Sequence, residues 1–209
     1  TNNLLRACEI SGVMRFVMAS SAAVYGTNEA FPLDEDHAGT YHSPYADSKW
    51  QNERQVLEAK QSGMEAIALR FFNVYGTGQR SDGAYAAVIP KFIELAVDGQ
   101  TATIFGNGLQ TRDFVHVDDV SRALLILATE PWKDNLQHVY NVCTQTEISL
   151  LDLLSSIHGV LKDIAPEIPR PPPNHADERP GDIARSVGSK ARLVNDTAWS
   201  PQVEFVHGL

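Results

Sequence analysis

The segment Arg15–Gly26 reads RFVMASSAAVYG. Its first part is a short apolar run of the kind that forms a strand buried in a parallel sheet. The serines that close it, Ser20 and Ser21, fall where open α/β sheets place their ligands, although they can equally just terminate the strand. Upstream, Leu4, Leu5, Ala7, Cys8 and Ile10 make a helical stripe that stops at Gly12, so the chain steps from helix into strand. Downstream, Ser43 can cap a helix that tolerates Pro44 in its first turn and runs through Trp50, Val56 and Leu57 to Gly63. EAIALRFF then reads as the next strand, NVYGTGQRSDG as a loop, and a helix is expected from about Ala86 to Val97.

TATIFG and RDFVHV are shorter strands around the glycine-rich turn GNGLQ. Asp118 or Asp119 can cap the helix VSRALLILATE, HVYNVC is a strand, and Ser149 with Asp152 resembles a capping box before LLDLLSSIHGVL. Alternation of helix and strand to about residue 145 predicts an α/β protein with a mainly parallel sheet. From about Pro166, EIPRPPPNHADERPGD is proline-rich, polar and extended, either a linker or a loop that closes over a ligand.

The chain has 209 residues, 43% hydrophobic and 21% charged, enough for one large domain or two small ones. Its net charge of -9 argues against nucleic-acid binding, which needs a basic face. Cys8 and Cys143 have no metal-like or redox-like spacing and read as thiols of a reducing, cytoplasmic compartment. No apolar run approaches the ~18 residues of a membrane span, and the start lacks the regions of a signal peptide. Both ends read as interrupted helices, so the chain is expected to be a fragment.

In HSPYADSKW, Tyr45 and Lys49 lie four residues apart and share one helical face. A phenol is a poor base near neutrality, with an ordinary pKa of about 10; a nearby ammonium favours the phenolate and lets it exchange protons with a substrate hydroxyl. A serine at the end of the preceding strand can hold the same hydroxyl. Spacing alone also fits a plain surface pair.

Taken in order, FVMASSAAVYG, SPYADSKW, LRFFNVYG, GAYAAVIPKF, GNGLQTRDFVHVDDV and ERPGDI resemble the extended short-chain dehydrogenase/reductase family in its nucleotide-sugar epimerase branch. The resemblance covers nearly the whole chain. It implies a Rossmann-type domain that holds NAD and a smaller C-terminal α/β region that holds a UDP-sugar. On this reading residues 1–76 are the second half of the dinucleotide domain and residues 77–209 are mostly the substrate region, with 112–145 returning to the Rossmann sheet.

By match of motif, Ser21 resembles the catalytic Ser/Thr, Tyr45 the acid/base tyrosine and Lys49 the lysine at the nicotinamide ribose; Ser20 belongs to the same cofactor-side group. Phe72 resembles the residue beside the nicotinamide, while Phe71 and Phe72 also read as core aromatics. Asn73 resembles the asparagine on the sugar diphosphate. Val88 and Lys91 fall where the family helix lines the nucleotide pocket, with a solvated helix charge as the other reading of Lys91. Phe105 lies in the segment that approaches the base, Arg112 and Arg179 are expected to fork onto the diphosphate, and Asp182 is placed for the ribose or for a turn. His116, Asp118 and Asp119 read as a strand end and a cap rather than metal ligands, and no metal site is expected.

Departures from the pattern narrow the reaction. Dehydratases of this family carry Asp-Glu after the catalytic Thr, and here Ala22 and Ala23 stand there. Branches that decarboxylate uronic acids commonly have a glutamate in this stretch, which is also absent. The implied reaction is therefore C4 epimerisation through a transient 4-keto sugar. Ser186, four residues after Asp182, matches the position that gates pocket size, and its small side chain points to UDP-N-acetylhexosamines as well as UDP-glucose. The GxxGxxG turn of the cofactor cradle occurs nowhere in the chain, so the first half of the dinucleotide domain is expected to be missing, leaving RFVMASS with an unpaired edge. A non-catalytic module of the same fold and an NADP-dependent reductase remain the alternatives. A homodimer is implied by the resemblance.

Overall fold

The computed structural model describes residues 1–37, 41, 43–82, 87–133 and 136–209. Helix α1 (Asn2–Ile10) leads into β1 (Arg15–Ser21), and the Ser21 hydroxyl then caps a 3-10 turn, Ala22–Tyr25, by accepting the Ala23 N–H at 3.1 Å. Helix α2 (Pro44–Gln61) starts as its sequence predicts: the Ser43 hydroxyl accepts the Ala46 N–H at 3.1 Å and Pro44 takes the first helical position. There follow β2 (Glu65–Phe71), β3 (Asn73–Tyr75), α3 (Val88–Val97), β4 (Thr103–Phe105), β5 (Thr111–Arg112) and β6 (Phe114–His116). The chain continues through α4 (Val117–Thr129), β7 (Val139–Val142), β8 (Ile148–Ser149), α5 (Leu150–Ile164), β9 (Asn174–Ala176) and α6 (Ala191–Asp196). Ala86, the expected start of α3, lies outside the described residues.

The main sheet runs β1-β2-β7, all parallel, in register from Arg15 opposite Glu65 to Ser21 opposite Phe71 and from Ala68 opposite Val139 to Phe71 opposite Val142. Parallel neighbours need a crossover, and α2 is the one between β1 and β2. Among the described residues β1 pairs on one side only. The stretch expected to be a loop after β2 instead holds β3, parallel to β6, so the strand that carries Phe71 continues past Phe72 to a second partner.

RDFVHV is not one strand. It breaks at Asp113, because that buried carboxylate turns inward: its oxygens accept from the Thr144 N–H (2.8 Å), the Thr144 hydroxyl (2.8 Å), the Gln145 N–H (2.9 Å) and the Gly188 N–H (3.2 Å). On one side of the break β5 pairs antiparallel with β8, and on the other β6 joins β3. Neither Asp118 nor Asp119 caps α4. His116 does, its ring nitrogen accepting the Asp118 N–H at 3.3 Å, while Asp119 is fully buried and pins the chain near Gln202 and Val203 through their N–H groups at 3.0 and 3.1 Å.

The proline-rich segment is no free linker. It adds β9 parallel to β4, then runs past Thr111, which donates to the Ala184 carbonyl at 3.0 Å, and on to Leu33, which donates to the Val187 carbonyl at 2.9 Å. One core packs the sheet residues Ile67, Leu69 and Tyr140 against Ala123 and Leu127 of α4 and against Trp199, whose indole N–H reaches the Asp119 carbonyl at 2.9 Å. A second core joins Ile89 and Phe92 of α3 to Leu153, Leu154, Ile157 and Leu161 of α5. At about 1.5–3 kcal/mol per large side chain taken out of water, these two clusters hold the sheet and the C-terminal region together. Among the described residues no helix is long and apolar enough to cross a membrane.

Candidate active site

Successive residues of a strand point to opposite faces, so Ser20 and Ser21 part company at the end of β1. Ser20 is buried, 3% exposed, and its hydroxyl donates to Glu53 of α2 at 2.5 Å. That turns the Ser20 side chain toward α2. Ser21 remains half-buried at the head of the 3-10 turn.

Tyr45 sits in the first turn of α2 and is 55% exposed. One turn on, the Lys49 ammonium donates to the Ala19 carbonyl at 2.9 Å and stands 5.7 Å from the centre of the Tyr45 ring. Helical spacing thus lays the cation over the phenol, and its hydrogen bond ties α2 to the end of β1.

Behind this corner lies a buried polar network. Arg70 of β2, 2% exposed, forks onto Glu53 at 2.7 and 3.0 Å, donates to the Tyr25 hydroxyl at 2.9 Å and to the Glu35 carbonyl at 3.0 Å. Tyr25 in turn donates to the Asn141 side chain at 2.7 Å, and the Asn141 N–H donates to the Glu35 carboxylate at 2.8 Å. Burial raises the Glu35 carboxyl above the usual range, opposed by the Asn141 N–H and by Arg192. Arginine is the cation that can meet so many acceptors from inside a strand, because its planar fork offers five donors.

On the far side of β5, a cavity of about 540 Å³ is lined by Asn73, Val88, Lys91, Phe105, Arg112, Arg179 and Asp182 together with Leu95, Thr101, Gln110 and others. Seven residues that the sequence motifs single out, scattered from position 73 to 182, therefore meet at one opening. Arg112 is held firmly: it donates to the Thr111 carbonyl at 2.8 Å, to the Ile183 carbonyl at 2.5 Å and to the Asp182 carboxylate at 2.6 Å. Burial lowers its pKa from the ordinary arginine value, with Asp182 working the other way. The Arg179 guanidinium lies 3.8 Å from the centre of the Phe105 ring, a stacked cation over an aromatic face. The Gln110 amide donates to the Phe105 carbonyl at 2.8 Å and approaches Asp182 at 3.5 Å. Lys91 also pairs with Glu94 at 2.7 Å, half in solvent.

Asp182 borders a second cavity as well, about 880 Å³, walled by Ala23 of the 3-10 turn, by Ser43 and Ala46 on either side of Tyr45, and by residues 181–185. The two cavities share Asp182, and Ser21, Tyr45 and Lys49 are not among the residues that line either one.

Phe72 is 5% exposed in a cluster with Val24, Tyr25, Leu33 and Cys143, the surroundings of a core aromatic. Gly188 covers it so closely that an added Cβ would lie 2.4 Å from the Phe72 ring. Ser186 is not among the residues that line either cavity; its N–H donates to the Thr111 carbonyl at 3.2 Å.

Sequence reasoning passed over Glu53, Arg70, Gln110 and Asp113. A charge inside the apolar runs AIALRFF and DFV was the available signal for Arg70 and Asp113, since a charged group is rarely placed mid-strand without a partner. Among the described residues no three His, Cys, Asp or Glu side chains gather as a metal site would require.

The family model described as NAD dependent epimerase/dehydratase matches residues 1–143. The UDP-glucose 4-epimerase of Mycolicibacterium smegmatis is 34% identical over 213 residues, covering 100% of this chain and 64% of that protein. Among solved structures, the UDP-N-acetylglucosamine 4-epimerase from Methanobrevibacter ruminantium, in complex with UDP-N-acetylmuramic acid, superposes with a TM-score of 0.88 at 32% identity, covering 99% of this chain and 64% of that one. The UDP-glucose 4-epimerase of Thermus thermophilus, in complex with NAD, gives 0.79 at 33% identity over 99% of this chain and 65% of that one. The chain thus spans just under two thirds of the length of these relatives. With its parallel sheet and the match of the family model over residues 1–143, the chain belongs to the NAD dependent epimerase/dehydratase family, in the extended short-chain dehydrogenase/reductase fold.

Proposed function

We propose that the protein epimerises a UDP-sugar at C4, the sugar being glucose/galactose or an N-acetylated relative. The observation that supports this is the arginine-lined cavity: Arg112 and Arg179 stand in a cavity of nucleotide size, and its Asp182 also borders a second cavity lined by Ser43 and Ala46 of the turn that carries Tyr45. A diphosphate laid on the two guanidinium groups receives charge-assisted bonds, with Asn73 beside it and Phe105 toward the base. Its sugar then reaches the first turn of α2.

There the Ser21 hydroxyl holds the sugar 4-hydroxyl, and the Tyr45 oxygen takes its proton and later returns it to the other epimer. The Lys49 ammonium stabilises the charge left on the phenol oxygen by this exchange. An exposed phenol, a hydroxyl and an ammonium at the C-terminal end of a parallel strand are a donor set that fits the nicotinamide ribose, and Ser21, Tyr45 and Lys49 are the residues that would hold it. When bound, NAD supplies hydride acceptance from the sugar carbon and its return. Ala22 and Ala23 offer no acid or base for water elimination, which favours epimerisation over dehydration.

On this reading residues 1–76 serve the dinucleotide and 77–209 mostly the sugar nucleotide, with 112–145 rejoining the sheet; the pairing of β6 with β3 and of β7 with β2 supports the return. A homodimer through α1 and α2 is part of the proposal, supported by Leu4 and Ile10 standing 62% and 77% exposed on α1. The test is incubation with NAD and either UDP-glucose or UDP-N-acetylglucosamine, the products being separated by chromatography. Interconversion of C4 epimers without net NADH is expected. Conversion of neither sugar would sink the reading, and conversion of UDP-glucose alone would remove its N-acetylated arm.

A further inference from the structure

Ser21 belongs to β1, whereas Tyr45 and Lys49 belong to α2, so an acid/base site made from them depends on how the helix is set against the strand. Two side chains of α2 make that connection by hydrogen bonds. Lys49 reaches the Ala19 carbonyl at 2.9 Å, and Glu53, one turn further along the helix, accepts the Ser20 hydroxyl at 2.5 Å. The first tie comes from an ammonium that has two more donors to give and a substrate complex to serve. The second is buried on both sides, Ser20 being 3% and Glu53 3% exposed.

Glu53 is itself immobilised by Arg70, through bonds of 2.7 and 3.0 Å, and Arg70 is the residue of β2 that pairs with Ser20 in the sheet register. Strand, neighbouring strand and helix are thus locked at one point, beside Ser21 and on the same helix as Tyr45. A carboxylate costs several kcal/mol to bury even when paired, and a well-packed apolar pair of similar volume often serves stability as well. Stability alone therefore does not account for a charge at this point; geometric definition of the corner does.

We propose that Glu53 is a positioning residue: through Ser20 and Arg70 its carboxylate sets the separation of the Ser21 hydroxyl from Tyr45 and Lys49. The inference rests on the acid/base roles proposed above. It concerns kcat rather than affinity, because the buried Glu53 carboxylate is taken up by Ser20 and Arg70 and is not offered to a ligand. A displacement of about 1 Å at a reacting group lowers turnover by up to about 100-fold.

The experiment pairs Ser20→Ala, which removes one hydrogen bond and keeps the ion pair, with Glu53→Gln. Both are assayed for UDP-sugar epimerisation and followed by hydrogen exchange. Both variants should lose about 10- to 100-fold in kcat with KM unchanged, and the double variant should lose no more than the more impaired single one, since the two side chains act as a unit. In the same samples, amides of the first turns of α2 and of Ser20 and Ser21 should exchange faster than those of β7.

Full kcat in Ser20→Ala would overturn the inference, as would a loss carried by KM or by the folded fraction alone. If the unsubstituted protein converts no UDP-sugar, the functional reading fails by itself. The exchange arm then decides the positioning claim, and unchanged exchange at the first turns of α2 in both variants overturns it.

Discussion

The two ends of the proposed site are built in opposite ways. In the arginine-lined cavity the charged groups are already held by the protein: Arg112, with its side chain 17% exposed, is spoken for by the Thr111 and Ile183 carbonyls and by Asp182, and Arg179 rests on Phe105. At the acid/base corner Tyr45 stands 55% exposed, with Lys49 as the charged neighbour over its ring. Behind that corner lies the buried Glu53–Arg70 network. On the proposed function, the contrast means that binding is preorganised by ion pairs around the ligand, while chemistry is prepared by a buried network that does not touch it. Affinity and turnover should therefore respond to different residues.

The largest expected effect is on turnover. Tyr45→Phe removes the proton acceptor and should lower kcat by about 10²- to 10⁴-fold, as loss of a general acid/base does. Steady-state rates with KM unchanged would sharpen the division, whereas a rise in KM with kcat intact would break it. Next comes stability. Arg70→Met leaves Glu53 buried without its cation and should cost about 3–5 kcal/mol in a urea titration. A loss below about 1 kcal/mol, the range of an exposed ion pair, would show that the network does not hold the corner from behind.

Gly188→Ala should cost about 1–3 kcal/mol by overpacking, since the new methyl would meet Phe72 at 2.4 Å and the Cys143 sulfur at 2.8 Å. An unchanged unfolding midpoint would mean that the segment over Phe72 can yield.

A smaller effect, visible through pH, comes from Asp113. Burial raises its pKa to about 6 despite four hydrogen bonds that favour the ionised form. A carboxyl whose pKa is higher folded than unfolded binds more protons in the folded chain between about pH 4 and 6, so its contribution to stability falls as pH rises through that window and is level above it. The stability of the unsubstituted chain relative to Asp113→Asn should accordingly be greater at pH 5 than at pH 7.5. A difference that grows with pH would reverse the sign and show the hydrogen bonds to prevail over burial. The smallest effect is expected at Lys91, whose exposed pair with Glu94 contributes about 0–1 kcal/mol, so that Lys91→Ala should leave the unfolding midpoint nearly unchanged.

What could be read from the chain without its structure was what local chemistry specifies. Ser43 and Pro44 at the start of α2, and Ser149 with Asp152 at the start of α5, announce themselves within a few residues, and both caps form with the Asp152 N–H at 3.0 Å from Ser149. The seven cavity residues were legible through motif order, though nothing in their spacing says that they meet. Long-range partners were not legible. Arg70 finds Glu35, Glu53 and Tyr25 from three separate segments, and Asp113 breaks a strand because residues 144, 145 and 188 come to it. The burial of Ser20 and Phe72 was not legible for the same reason: strand alternation and the cover of Gly188 decide which way they face, and neither shows in a motif.

Calorimetric titration of UDP-glucose into the unsubstituted protein, Tyr45→Phe and Arg179→Ala tests the division of labour most directly. The geometry predicts unchanged affinity in Tyr45→Phe and affinity about tenfold or more weaker in Arg179→Ala, from the loss of a charge-assisted bond of about 1.5–3 kcal/mol. Wild-type affinity in Arg179→Ala together with weakened binding in Tyr45→Phe would contradict it.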